Sequence, residues 1–190
     1  MPVAFESIKK DVLLEIAKEL AVTARTAPKA RGMDDIIIEI LSDHEKEEVA
    51  KKLDELASER NVWWFKRDAD NVRNSSVVIV FGAKVSKPRE LNCGACGYKD
   101  CTEFRKAERR EGDFVGPGCV YPLVDLGIAL GSATKLASIL GIDNRIMYTV
   151  GLAVRKLNLV DADFVLGLPL SATGKSIYFD RPRPNKLFVA

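Results

Sequence analysis

Val77-Val78-Ile79-Val80-Phe81 is an unbroken apolar run, almost all β-branched, and Gly82 stops it. A run so short and so apolar reads as a strand buried inside a sheet. Upstream, Ile36-Ile37-Ile38-Glu39-Ile40-Leu41 has the same character. Downstream, Asp163-Phe164-Val165-Leu166-Gly167-Leu168 supplies a third strand, and a shorter one is expected at Ile177–Phe179. Helical patterns separate these runs, which makes the chain α+β, a sheet flanked by helices.

Outward from that strand, the helices follow from periodicity. Ile8, Val12, Ile16 and Leu20 recur at steps of four within an amphipathic helix from Phe5 to Ala24, ended by Pro28. Ser42 and Glu45 have the capping-box form, opening a helix to Arg60 with Val49, Leu53 and Leu56 as its buried stripe. Trp63-Trp64-Phe65 heads a short helix, its aromatics wedged between elements or at a subunit interface. A longer helix runs from Leu123 to Leu140, thinned by Gly127, Ala129, Gly131, Ser132 and Ala133 for close approach of another backbone. Gly141 ends it in the left-handed region, and Asp143 or Asn144 can cap the next helix, which carries Val150, Val154 and Leu157 on one face. The tail Arg181-Pro182-Arg183-Pro184 reads as extended.

All four cysteines of the chain lie in one stretch: Cys93-Gly94-Ala95-Cys96-Gly97-Tyr98-Lys99-Asp100-Cys101, closed by Cys119 after Gly116-Pro117-Gly118. The spacing is C-x2-C-x4-C-x17-C, with a charged helix expected from Lys99 to Glu111. Three thiols on a tight loop and a fourth returning from a distance can surround a cubane, and soft thiolate donors select for iron–sulfur clusters. Gly94 and Gly97 would let the loop bend with positive φ and turn N–H groups toward inorganic sulfide. Structural zinc is an alternative, although it usually takes two separated knuckles and the second is missing here. A disulfide pair or free thiols are further readings.

Composition narrows the partners. Basic and acidic residues number 29 and 27, intermixed, for a formal charge of +2, which gives no reason to expect nucleic acid. The start, Met1-Pro2-Val3-Ala4-Phe5-Glu6, lacks the basic region of a signal peptide, and no uncharged apolar run approaches the ~18 residues of a membrane span. A cytoplasmic protein with reduced thiols is expected. The single histidine, His44, opens a charged helical turn and should be exposed, which excludes a multi-histidine metal centre. Gly174-Lys175-Ser176 has the end of a phosphate-binding loop, but that motif puts glycine where Pro169 stands and needs a helix afterwards, so nucleotide hydrolysis is not expected.

The cysteine motif C-G-A-C-G-Y-x-x-C with its later G-x-C resembles the small [4Fe–4S] domain of corrinoid iron–sulfur proteins and of the B subunit of Rnf electron-transport complexes. From Cys93 onward the chain is similar to uncharacterised ferredoxin-domain-containing proteins of archaea and anaerobic bacteria. That resemblance implies a [4Fe–4S] cluster on Cys93, Cys96, Cys101 and Cys119. The order of elements in the remainder resembles the FMN-dependent nitroreductase fold, a mixed sheet flanked by helices that forms intertwined homodimers with flavin at their interface. On this likeness residues 1–190 form one nitroreductase-like domain, and residues 83–121 are an inserted ferredoxin-type segment. The Ala27-Pro28 loop, with Arg25, Thr26, Lys29 and Arg31, then matches the loop near the flavin. Gly167 and Pro169 match a late glycine–proline turn, and Lys175 or Arg181 would reach the FMN phosphate. The chain departs from that family in three places: no arginine–serine–arginine motif precedes the first helix, Lys29 replaces the serine after proline, and Gly32 replaces a polar partner.

Together these readings give an iron–sulfur redox homodimer that passes single electrons to an unidentified redox partner protein, with FMN as a second cofactor. No residue presents itself as a general acid or nucleophile. The alternative is a non-enzymatic protein in which iron–sulfur or zinc acts as a structural staple.

Overall fold

The computed structural model describes residues 2–179, so Arg181 and the Pro-containing tail lie outside the described residues. Twelve regular elements follow in order: α1 (Phe5–Thr26), β1 (Ile36–Ile40), α2 (Asp43–Arg60), α3 (Trp63–Asn74), β2 (Val77–Ala83), α4 (Cys101–Lys106), β3 (Arg110–Glu111), β4 (Val115–Gly116), α5 (Val120–Ile139), β5 (Asp143–Asn144), α6 (Tyr148–Lys156) and β6 (Phe164–Ser171). The main sheet has the order β1-β2-β6-β5, paired antiparallel throughout. Every residue of β2 is buried, as its apolar run requires of a central strand.

Alternation along β2 divides the core. Val77, Ile79, Phe81 and Ala83 face α1 and α5, while Val78 and Val80 face α2, α3 and α6. Helices therefore cover both faces of the sheet. α6 approaches β6 so closely that a Cβ on Gly151 would lie 1.8 Å from the Val165 carbonyl oxygen, and one on Gly167 would lie 2.2 Å from Val150. Only glycine fits at either position.

Local chemistry accounts for the helix ends. The Glu45 N–H donates to Ser42 Oγ (3.3 Å) and the Ser42 N–H to Glu45 Oε2 (2.7 Å), closing the capping box at the start of α2. Asn61, with φ 53°, ends that helix in the left-handed region, and Gly141 (φ 69°) does the same just after α5.

Several expectations are corrected. The stripe of α1 that faces the sheet is Leu13, Ala17, Leu20 and Ala24, because its alanines allow close packing, and Ile8 and Val12 face outward. On α5 the alanines Ala129 and Ala133 are buried, whereas Gly127 and Gly131 point into open space. Of the three aromatics Phe65 alone is wedged in the core, while Trp63 and Trp64 are exposed, the placement that the interface alternative requires of them. Asp143 and Asn144 form β5 instead of capping α6. Ile177–Phe179 is a turn, because Ser176 Oγ accepts from the N–H groups of Tyr178 (3.3 Å) and Phe179 (3.2 Å). The helix expected to reach Glu111 stops at Lys106, where Ala107 turns extended, and the chain continues into the β3–β4 hairpin.

Among the described residues α5 alone is long and apolar enough to cross a membrane. Within the fold it packs on α1 and the sheet, and its Asp125 is buried in an ion pair.

Candidate metal centre

Between Ala83 and Val120 the chain leaves the sheet on an excursion whose two ends touch. The Cys119 N–H donates to the Val85 carbonyl (2.8 Å), and a Cβ on Gly118 would lie 2.9 Å from the Val85 side chain. Ser86 N–H donates to Asp163 Oδ2 (2.7 Å), which ties the stem to the start of β6.

All four cysteines line one small hollow at this stem, together with Pro88, Arg89, Leu91, Asp100 and Tyr121. Each is placed by a different local device. Cys93 and Cys96 ride on the loop, the first exposed and the second half-buried. That loop turns through Asn92 (φ 48°), Gly94 (φ 68°) and Gly97 (φ 87°). The Gly97 N–H closes the turn onto the Gly94 carbonyl (2.9 Å) and so is not directed at the hollow.

Cys101 and Cys119 are buried, and each stands at a helix N-terminus. Cys101 is the first residue of α4, whose N-cap Asp100 accepts from the Glu103 N–H (2.8 Å). Asn92 clasps Cys101 from the loop side: its N–H donates to Cys101 Sγ (3.4 Å), and its Oδ1 accepts from the Cys101 N–H (3.0 Å). Cys119 is the N-cap residue of α5, a helix of 20 residues. At both places the backbone N–H of the cysteine itself is paired, Cys101 with Asn92 Oδ1 and Cys119 with the Val85 carbonyl, which fixes where each side chain starts. The two buried sulfurs thus sit at helix starts, and the two outer ones ride on the loop nearer solvent.

Among the described residues no three His, Cys, Asp or Glu side chains are grouped to hold a single metal ion. All four thiols nonetheless border one hollow, so that soft donors converge there from a loop and from two helix starts. The donor set of four soft sulfurs fits an iron–sulfur cluster, with no ligand missing.

One wall of the hollow was not foreseen. Arg89 is only 1% exposed, and its Nε and Nη2 donate to Asp125 Oδ2 (3.3 and 3.0 Å) while Nη1 donates to Asp35. Burial works against the guanidinium charge, but the bonds to Asp35 and Asp125 outweigh it and raise the Arg89 pKa further. The available signal was Asp125 itself, a single carboxylate within the apolar first half of α5.

The candidate flavin residues are not assembled in the same way. Arg25 Nη1 donates to Asp34 Oδ2 (2.8 Å), and Thr26 Oγ1 donates to the Thr23 carbonyl (3.2 Å). Lys29, with 5% of its side chain exposed, curls back onto the Ala24 carbonyl (3.1 Å) and the Arg25 carbonyl at the end of α1. Burial opposes the Asp34 carboxylate, yet its bonds to Arg25 and the Ile36 N–H hold it below the usual range. Arg31, at φ 58°, donates to the Arg89 (2.9 Å) and Glu90 (3.4 Å) carbonyls at the foot of the cysteine loop.

Gly167 and Pro169 are not in a turn. Both lie within β6, where Gly167 pairs with Met147 and makes room for Val150. Pro169 lies opposite Val78, and pairing with the β5 side lapses beside it, between Asn144–Leu170 and Met147–Gly167. Lys175 is exposed on the loop after β6. Within one copy of the chain these residues do not form a flavin-phosphate cradle.

A three-layer body with a four-cysteine excursion defines the class: a nitroreductase-like α+β fold carrying a ferredoxin-type site. The solved structures agree on the fold. NfrA1 nitroreductase from B. subtilis is similar with a TM-score of 0.54 at 18% identity over 89% of this chain, which spans 61% of that one. A putative NAD(P)H:FMN oxidoreductase from Staphylococcus epidermidis is similar with a TM-score of 0.55 at 14% identity, over 90% of this chain and 82% of that one. In sequence, an uncharacterized protein of Archaeoglobus fulgidus is 51% identical over 162 residues, 85% of this chain and 88% of that protein. Residues 115–181, which include Cys119, match the family described as uncharacterized proteins containing a ferredoxin domain. The chain belongs to that family, whose ferredoxin domain implies an iron–sulfur cluster.

Proposed function

We propose that the protein is a one-electron carrier built around a [4Fe–4S] cluster held by Cys93, Cys96, Cys101 and Cys119. The observation that carries this reading is the single hollow lined by all four thiols, two of them at helix N-termini. When bound, a cluster supplies reversible uptake of one electron. The chain's residues hold the sulfurs, stabilise their negative charge and keep one side dry, while exposed Cys93 leaves a path of short reach to a redox partner protein. FMN is kept as a second cofactor only for a dimer, since within one chain Arg25 and Lys29 are engaged by Asp34 and the end of α1 while Lys175 is exposed.

The reading places the protein in the cytoplasm, where its thiols stay reduced. It takes a second copy of the chain as a partner. Phe5, Ile8 and Val12 on α1 are exposed, and on α5 Val124 and Ile128 are exposed beside the open glycines Gly127 and Gly131, which leaves apolar surface for that copy to cover. A Gly127→Arg variant is expected to run as a monomer in light scattering where the parent runs as a dimer.

The deciding experiment is anaerobic purification followed by iron, sulfide and zinc assays on one sample. Iron and sulfide near four each per chain, with visible absorption that dithionite bleaches, are expected. One zinc per chain without sulfide would replace electron transfer by the staple reading. Cys101→Ala separates the two further: a carrier keeps its sheet and loses the chromophore, whereas a stapled binding protein unfolds or releases its partner.

A further inference from the structure

The ion triad Asp35–Arg89–Asp125 is buried deeply enough to need a reason. Arg89 and Asp125 have side chains 1% and 3% exposed, and two carboxylates against one guanidinium leave the triad one negative charge. Replacing such ions by apolar groups is often neutral or stabilising, so stability alone is a weak account of them. Their location gives a better one. Arg89 walls the cysteine hollow, and Asp125 lies on the same helix that begins at Cys119. The second oxygen of Asp125 accepts from the Ala30 N–H (2.8 Å), and Arg31 holds the Arg89 and Glu90 carbonyls from outside. Arg89 and Asp125 are therefore fixed in position at the hollow's wall and away from water, where a charge acts over longer distances than at the surface, while Asp35, 25% exposed, closes the triad at its edge.

We propose that this triad sets the reduction potential of the group in the hollow, with Arg89 and Asp125 as positioning residues that tune its charge environment and do not ligate it. The inference rests on the iron–sulfur reading. Uptake of one electron from an external reductant adds negative charge to a site already carrying four thiolates. A nearby cation favours the reduced form and a nearby carboxylate disfavours it. Removing either carboxylate must raise the potential, and removing the guanidinium must lower it. Simple loosening of the loop would move every variant in the same direction, so the opposed signs are the signature.

The test is a dithionite titration of the holoprotein, followed by visible absorption against mediator dyes, after iron and sulfide have been counted. Asp125→Asn and Asp35→Asn keep the shape and an acceptor oxygen; each is expected to favour reduction by about tenfold, ~59 mV for one electron. Arg89→Gln is expected to shift it the opposite way by a similar factor, and Arg89→Lys to restore most of the parent value. The shifts should persist in 1 M salt, where the ~3 Å screening length silences surface charges. The proposal is overturned if the loaded Asn variants titrate within twofold of the parent, or if carboxylate and guanidinium variants shift together. It is also overturned if neither Asn variant holds iron, since the triad would then serve only to fold the loop. A parent protein without iron and sulfide fails earlier, in the metal assay, and that result is the failure of the cluster reading itself.

Discussion

The layered body and the excursion between Ala83 and Val120 are held together by different forces. In the body, β2 is buried along its whole length between two apolar layers, and shape complementarity reaches the point where Gly151 and Gly167 tolerate no Cβ. In the excursion, α4 has six residues and β3 and β4 two each, lengths that do not persist alone in water. Side-chain pairs hold it instead: Arg60 with Asp113 (2.9 and 2.5 Å), Arg155 with Glu111 (3.0 Å) and the Arg89 triad. The body is stabilised by apolar burial, and the excursion by charge pairs and, on the proposed reading, by ligation. Each region should therefore fail under a different insult.

The largest effect should come from removing the metal. Oxidation and chelation are expected to speed proteolysis between residues 84 and 119 by at least roughly tenfold while the body stays resistant. Mass mapping of the fragments checks this, and early cuts within α2 or α6 would erase the contrast. The reverse insult is Gly151→Ala, which forces a Cβ against the Val165 backbone. A loss of about 3 kcal/mol is expected from the urea midpoint, with iron content unchanged in the folded protein. A smaller and purely local loss, ~1 kcal/mol, is expected for Ser42→Ala, which removes the α2 capping box.

The smallest effect separates the regions by pH. Hydrogen bonds from Arg60 and, more weakly, Tyr148 bring the Asp113 pKa down to about 2 against the opposing effect of burial. Because this pKa is depressed, the carboxylate stabilises the hairpin fully above 3.8, its ordinary value, and that contribution is lost as pH falls through about 2. Asp113→Asn should thus be less stable than the parent at pH 6, and the gap should close between pH ~4 and ~2 in acid-titrated urea melts. A gap that stays constant with pH would mean that the hairpin does not depend on this charge.

Legibility in the sequence followed the range of each interaction. Ser42 and Glu45 are three residues apart, and the capping box they spell is present. The apolar runs at Ile36 and Val77 became β1 and β2, but only β2 is buried along its length; β1 is an edge strand with Ile36 buried and Glu39 exposed, a position that composition does not reveal. The cysteines were visible because spacing on one loop is a local property. Arg89 and Asp125 meet across 36 positions, and nothing near either residue names the other. Gly167 was legible as a special position but not as a packing glycine, since the reason for it is Val150 on a different element. The basic residues of the Ala27-Pro28 loop show the same limit: Arg25 and Lys29 look free in sequence, and Asp34 and the end of α1 occupy them in space. The outward stripe of α1 was misassigned because that helix has two apolar faces, and only the neighbouring alanines decide which one the sheet accepts.

The meeting of Val85 with Gly118 and Cys119 makes the excursion a cassette. Its entry and exit lie side by side, so a turn of about two residues in place of residues 86–118 would bridge them without disturbing the register of β2 and β6. A body shortened in this way could receive a different cofactor-bearing loop at the same socket, and the excised loop could be transplanted to any scaffold offering a strand end beside a helix start.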